Sequence, residues 1–244
     1  MALNAIAKEN ETNQAEIFNY EKFLLSLSHK TKVQQNHLLQ IISLAEKSRK
    51  KLVKEIYVDG EQYILLKRGI GPLVTKYGKF YLMVFNNDNE KETYFVIFKG
   101  RINKNSMLPM FQRKEKLFLR IDSACITGQI FHDLTCECRE QLELALEKLS
   151  KQRQGLIIHC FNQDGRGKGI DFKLATLFLQ EELGLDTTEA FTILEKNNSP
   201  ESLDSRNYKG AVAILKFFHI SNILVMGTNN PQKIDIFRKN GFLV

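Results

Sequence analysis

No stretch of about 18 consecutive apolar residues occurs in the sequence, which excludes a membrane-spanning helix. The start, Met1-Ala-Leu-Asn-Ala-Ile-Ala-Lys-Glu-Asn-Glu11, has no basic run leading into an apolar one. It therefore predicts no signal peptide. Cysteine is scarce. Four in 244 residues do not make a disulfide scaffold, and the expected compartment is reducing and cytoplasmic. What is present is a 43% hydrophobic content, enough for one large domain with an appended piece or for two small domains. The formal net charge is +7. A basic surface suits nucleic acid, a phosphorylated small molecule or an acidic membrane face, and composition does not choose among them.

The few cysteines are not scattered. Three lie in Arg120-Ile-Asp-Ser-Ala-Cys125-Ile-Thr-Gly-Gln-Ile-Phe-His-Asp-Leu-Thr-Cys136-Glu-Cys138-Arg-Glu-Gln141, with the spacing C-x10-C-x-C. A C-x-C pair places two sulfurs close together, and a third cysteine after a ten-residue loop can close on the same point. Three thiolates with one open position is the ligand set of a zinc ion that does chemistry, whereas a fourth protein ligand makes a structural site. The competing reading is three reduced cysteines packed as small hydrophobes. Thr-Gly and His-Asp turn chemistry in the loop favours metal.

Along the chain, residues 1–66 read as helical. Phe18, Phe23, Leu24, Leu27, Val33, Leu38, Leu39, Ile41, Ile42 and Leu44 recur at helical spacing. The basic run from Lys47 to Lys54 reads as a solvated helix face. Alternation starts at Glu61, and Gly69-Ile-Gly-Pro72 reads as a turn. Strands are expected at Lys79–Phe85, Thr93–Phe98 and Lys116–Ile121, with a hairpin loop from Asn86 to Lys91. This meander is expected to present the cysteine loop. A helix from Glu140 to Gln154 follows, then a buried strand Gly155–Cys160 ending in Asn162-Gln-Asp-Gly-Arg-Gly-Lys-Gly169. A strand, a glycine-rich turn and a helix from Phe172 to Leu183 can form an anion platform. The same glycines can equally serve only the turn. Further on come the polar loop Asn197–Asn207, a helix Gly210–Phe218, a strand Asn222–Met226 and a last helix Lys233–Asn240. Thr228 and Asn229 are good cap residues for it, or ligand contacts. The second half alternates strand and helix, so the expected class is α/β, a mixed sheet flanked by helices and preceded by a helical N-terminal segment.

Taken together, four motifs resemble the GTP cyclohydrolase II family, whose members open the guanine ring at the start of riboflavin synthesis. They are C-x10-C-x-C with Gln141, Asp164-Gly-Arg-Gly-x-Gly with Lys173, Asp204-x-Arg206, and Thr228-Asn-Asn-Pro-x-Lys233. The resemblance runs from about Arg68 to Val244 and gives the expected division: residues 1–66 as a helical extension unrelated to it, and 67–244 as the family domain. It implies Cys125, Cys136 and Cys138 as zinc ligands. It implies Arg120, Asp122, Ser123, Gln141, Asp164, Gly165, Arg166, Thr187, Thr228 and Lys233 as nucleotide contacts. Asp204 matches the family's proposed proton acceptor and Arg206 its proposed nucleophile. The implied partners are GTP or a close purine nucleotide, Mg2+ with the triphosphate, and a second copy in a homodimer.

The chemistry of these residues agrees with that reading. Zinc lowers the pKa of bound water. Arg166, Lys168, Lys173 and Lys233 can supply countercharge to phosphates. Arg206 can act as nucleophile or as an electrostatic clamp, since a guanidinium stays protonated at ordinary pH. The sequence also departs from the family pattern. Asp122 replaces a histidine, Ala124 a glutamate, and Arg139 a glycine. Asp164 replaces a glutamate, and the family's tyrosine position falls on Leu177. The loop between Ala190 and Asp204 is longer than usual. Three functions are thus consistent with the chain: a zinc nucleotide cyclohydrolase, complete or stopping at a formylated product, a non-catalytic nucleotide-binding homologue with a structural zinc, and a basic nucleic-acid binder. No groove-reading zinc module supports the last.

Overall fold

The structure, a computed structural model, describes residues 19–87, 92–195, 204–228 and 230–244. The chain divides into two compact units, residues 1–46 and 47–244. The first contains helices α1 (Tyr20–Thr31) and α2 (Gln35–Ser48), the latter running across the division. Asn19 caps α1 by accepting from the Lys22 N–H at 3.0 Å. Leu24 and Leu38 are their buried positions.

The second unit is built on a seven-stranded mixed sheet. Its strands are β1 (Leu52–Val58), β2 (Glu61–Thr75), β3 (Gly78–Asn87), β4 (Thr93–Lys99), β7 (Leu117–Ser123), β8 (Gly155–Cys160) and β9 (Leu224–Met226), in the order β1-β2-β3-β4-β8-β7-β9. A separate two-stranded ribbon pairs β5 (Arg101–Ile102) with β6 (Pro109–Met110). The first four strands and β8 pair antiparallel, while β8, β7 and β9 run parallel. On one face, α4 (Cys138–Lys151) packs Ala145 and Leu149 against Phe80, Phe118 and Ile157. Helix α7 (Lys209–Phe217) is buried along nearly its whole length. The remaining helices are α3 (Ile126–Gln129), α5 (Ile170–Leu183), α6 (Thr187–Glu195) and α8 (Pro231–Lys239). Among the described residues no helix is long and apolar enough to cross a membrane.

Several expectations are corrected. The helical reading of residues 1–66 fails at β1, where Leu52-Val-Lys-Glu-Ile-Tyr-Val58 alternates half-buried and exposed residues. Val58 pairs with Glu61 across Asp59-Gly60, whose φ values are 52° and 79°. Two positive φ values in a two-residue loop match the right-handed twist of a hairpin, and Asp-Gly supplies them. Gly69–Pro72 is no turn: β2 runs straight through it beyond a bulge at Lys67/Gly69. Pro72 pairs with Tyr81 of β3, while β1 reaches only as far as Lys67, so the other side of β2 is an open edge there, where proline is tolerated. The meander does not itself present the cysteine loop, since β8 separates β4 from β7. The helices α4, α5, α7 and α8 and strand β9 fall within three residues of their expected bounds. Residues 88–91 and 196–203, which include most of the hairpin loop and the longer loop before Asp204, lie outside the described residues, as does Asn229.

This topology places the site. The C-terminal ends of the three parallel strands share one edge, and each is followed by one expected motif. β7 leads to Cys125, β8 to the glycine-rich turn, and β9 to Thr228. The carboxyl edge of parallel strands is where α/β sheets bind ligands.

Candidate active site

The three cysteines converge. Cys125 sits at the start of α3, Cys138 opens α4, and their Sγ atoms and that of Cys136 all lie within 4.8 Å of one another. Cys125 Sγ and Cys136 Sγ are 3.7 Å apart. Zn–S bonds of about 2.3 Å in a tetrahedron separate sulfurs by about 3.8 Å, so this spacing fits zinc. The loop between them is closed by Asp133, which accepts from the Thr135 N–H and hydroxyl at 2.9 and 2.7 Å, and by His132 at φ 61°. Gly128 makes the cradle. A Cβ there would stand 2.6 Å from Cys136 Sγ, 3.4 Å from Cys138 Cβ and 3.5 Å from Cys125 Sγ. A hydrogen bond from Cys138 holds the Cys125 thiol down to about 5 against the opposing effect of burial, with the Gly128 backbone helping. Cys138 is pushed well up by Cys125 and by burial. A cation would stabilise all three thiolates at once. Cys160 is buried away from this cluster at the end of β8, and burial pushes its thiol up to about 12.

The glycine-rich turn packs beside them. Residues Asp164–Gly167 form one 3-10 turn in which Gly165, Arg166 and Gly167 have φ of 59°, 54° and 88°. Asp164 is buried, and its Oδ1 accepts from the Ile126 N–H at 2.8 Å, tying the turn to α3. A Cβ on Gly167 would meet the Ser205 carbonyl carbon and the Arg206 nitrogen at 2.9 Å. This glycine lets the Asp204–Arg206 segment lie flat on the turn, where the Ser205 N–H donates to the Arg166 carbonyl at 2.9 Å. Arg206 Nε donates to Asp204 Oδ1 at 2.8 Å, and its Nη2 donates to Asp204 Oδ2. Burial alone would raise the Asp204 carboxyl, but Arg206 outweighs it and holds the group below its ordinary range.

A cleft of about 160 Å³ gathers Ser123, the three cysteines, Asp164, Gly165, Arg166, Lys173, Thr187 and Arg206. A second cavity of about 450 Å³ gathers Arg120, Gln141, Lys148 and Thr228. Thus eight of the ten expected contacts divide between two hollows, and Asp122 and Lys233 line neither. Arg120 donates to the Gly227 carbonyl at 2.9 Å and to Gln141 Oε1 at 3.0 Å, and its buried Nε has no partner among the described residues. Asp122 and Lys233 are buried. Asp122 accepts from Gln129 at 2.9 Å and faces His159 Nδ1 at 2.8 Å. Lys233 donates to the Ile121 carbonyl at 3.0 Å and lies over the Tyr208 ring. Burial, then Arg120 and Arg206, push its ammonium down to about 8. Thr228 accepts from the Asn230 N–H, and it is Asn230 that caps α8. Leu177 is half-buried on α5 and does not line the cleft.

The structure also adds residues that the sequence reading passed over. Phe191 takes the Arg166 guanidinium on its face at 4.8 Å. Glu195 pairs with Lys168 at 2.8 Å, so that lysine already has a carboxylate partner. Gln129 and His159 join the cysteine loop to the sheet. Of these only Gln129 had a signal in the sequence, its place inside the C-x10-C loop.

Comparison with known proteins identifies the family. The model of a family described as GTP cyclohydrolase II matches residues 69–244. GTP cyclohydrolase-2 of Picrophilus torridus is 34% identical over 174 residues, covering 70% of this chain and 80% of that protein. Riboflavin biosynthesis protein RibBA of Endomicrobium trichonymphae is 31% identical over 235 residues, covering 94% of this chain and 51% of that protein. RibBA of Staphylococcus saprophyticus is 35% identical over 167 residues, covering 68% of this chain and 37% of that protein. The chain spans about half the length of the Endomicrobium relative, and that alignment takes in most of the N-terminal segment that the family model leaves out.

Proposed function

The chain belongs to the GTP cyclohydrolase II family, and from that premise we propose that it hydrolyses the imidazole ring of GTP or a close purine nucleotide and releases pyrophosphate. The observation that carries the reading is the meeting of three thiol sulfurs, a glycine-rich anion turn and a buried arginine in one cleft. Cys125, Cys136 and Cys138 would hold zinc, which when bound supplies Lewis acidity for attack by water on a poorly electrophilic ring carbon.

The chain's own residues divide the remaining work. Arg166 and Arg206 face the same cleft as the cysteines and would carry the charge of the phosphates there. Asp204 fixes Arg206 through two parallel hydrogen bonds. After the opposing effect of burial, that carboxylate raises the guanidinium above its ordinary value. A more firmly cationic Arg206 supports the electrostatic clamp over the nucleophile. Arg120, Gln141 and Thr228 offer a neighbouring polar cavity for the rest of the nucleotide. The family resemblance also supports Mg2+ on the triphosphate and assembly as a homodimer.

The test is direct. Purified protein is incubated with GTP, zinc and magnesium, and products are identified by mass spectrometry. A ring-opened pyrimidine nucleotide with stoichiometric pyrophosphate is expected. GTP recovered intact, though bound, would overturn catalysis and favour a non-catalytic nucleotide-binding homologue.

A further inference from the structure

One carboxamide joins both ends of the cysteine cluster. Gln129, the last residue of α3, accepts at Oε1 from the Cys125 backbone N–H at 3.1 Å. Its Nε2 donates to the Cys138 carbonyl at 3.3 Å and to Asp122 Oδ2 at 2.9 Å. The same Asp122 oxygen meets His159 Nδ1 at 2.8 Å. Asp122 and His159 are register partners on the parallel strands β7 and β8. Asp122 is 2% exposed, so the far end of this chain of contacts is anchored in the sheet.

We infer that Gln129 is the positioning residue of the cysteine cluster. It holds Cys125 and Cys138 at the spacing that a metal ion needs and ties them, through Asp122 and His159, to the sheet. The inference rests on reading the cluster as a metal site. Cys125 and Cys138 belong to different elements, and nothing covalent between Cys125 and Cys136 fixes the loop's width. An amide can serve both ends because it carries one acceptor and two donors. A methionine fills the same volume and offers neither. Contacts outside the ligand sphere set ligand direction, and losing one typically weakens metal binding about 10- to 100-fold. The buried Asp122 gives Gln129 its handedness: a carboxylate there only accepts, so Nε2 must face it and Oε1 must face Cys125.

The experiment titrates the full chain with Zn2+ against a chromophoric chelator and with Co2+ by visible absorption. Wild type, Gln129→Met, Asp122→Asn and Cys136→Ser are compared, with circular dichroism for folding. Gln129→Met is expected to keep its fold, bind Zn2+ about 10- to 100-fold more weakly and shift the Co2+ bands. Asp122→Asn should weaken binding measurably but by less than about tenfold, because Gln129 keeps both cysteine contacts and loses only its carboxylate anchor in the sheet. A folded Gln129→Met with wild-type Zn2+ affinity and an unchanged Co2+ spectrum overturns the inference. If Gln129→Met does not fold, Asp122→Asn decides, and wild-type affinity and spectrum there overturn it. Wild type that binds neither ion, or Cys136→Ser that binds both normally, overturns the metal reading itself and the inference with it.

Discussion

Arg206 and Asp204 form a side-on pair two residues apart, with Nε on Oδ1 at 2.8 Å and Nη2 on Oδ2. The Arg206 backbone N–H adds a third bond to Oδ1 at 3.1 Å. This short loop therefore aims its guanidinium before any ligand arrives, and preorganised charge is the most effective kind.

The pair gives the first prediction. Arg206→Ala should slow pyrophosphate release by several orders of magnitude, and Arg206→Lys should not restore it, because an ammonium lacks the planar fork. Asp204→Asn should cost less, since an amide can still accept from Nε. Pyrophosphate assays on the three variants check the order. Near-normal release from Arg206→Ala would take Arg206 out of the chemistry.

Gly128 and Cys160 give the second. Gly128→Ala would set a Cβ 2.6 Å from Cys136 Sγ, closer than real contacts allow. It should lose most of its zinc, while Cys160→Ser should keep one zinc per chain and Cys136→Ser should not. Metal analysis after gel filtration gives the answer. A zinc-replete Gly128→Ala would mean that the cysteine loop yields by several tenths of an ångström.

The cysteine motif was legible because its chemistry is local. Three thiols at C-x10-C-x-C and the Thr-Gly and His-Asp turn residues all lie within one loop, and the sulfurs do meet. The α/β class was legible for a similar reason, since period and turn residues are local signals. The rest depends on contacts distant in sequence. The Glu195 partner of Lys168 could not be read locally, because α6 brings it there from 27 positions away. Arg120 and Cys125 are five positions apart, yet they line different hollows. Asp122 was expected as a nucleotide contact, and its place beside His159 is fixed only by strand register. The loss of β1 to a helical reading came from treating Lys47–Lys54 as one face and overlooking Asp59-Gly60.

Lys233 gives the third prediction. Its ammonium is buried, bonded to the Ile121 carbonyl, and pushed down to about 8 from an ordinary 10.5. Below that value it is charged and attracts an anionic ligand, and above it the attraction is lost. Nucleotide affinity should therefore fall several-fold as pH rises through about 8, and Lys233→Met should bind weakly with a flatter profile. The stability effect runs the other way. Between about 8 and 10.5 the unfolded chain holds the extra proton, so this group's contribution to stability grows with pH across that window. Titration calorimetry at four pH values tests the first part, and denaturant melts of the two proteins test the second. A wild-type binding profile that is flat from pH 7 to 9 would remove Lys233 from the binding site.

Leu177 carries the last prediction. Full conversion of the base needs two hydrolytic events, opening of the ring and removal of the formyl group that results. The resemblance places a tyrosine where this chain has leucine, and a leucine side chain neither donates nor accepts. Leu177 is half-buried on α5, one turn beyond the cleft-lining Lys173. Near it Thr176 is buried with its hydroxyl spent on the Lys173 carbonyl at 2.7 Å, so it is no substitute phenol. Asp122, the other group that could fill the gap, has one oxygen engaged by Gln129 and His159 and faces Arg120 with the other at 3.7 Å. Loss of one oriented group at a transition state costs about 2–4 kcal/mol, roughly a hundredfold to a thousandfold in rate. That is enough for ring opening to proceed while deformylation fails. The expected product from wild type is thus a formylated pyrimidine nucleotide with little free formate, and Leu177→Tyr should release formate. Product mass and an enzymatic formate assay on both proteins are the measurements. Stoichiometric formate from wild type would sink the stalled-product reading and show that the second hydrolysis needs no phenol at position 177.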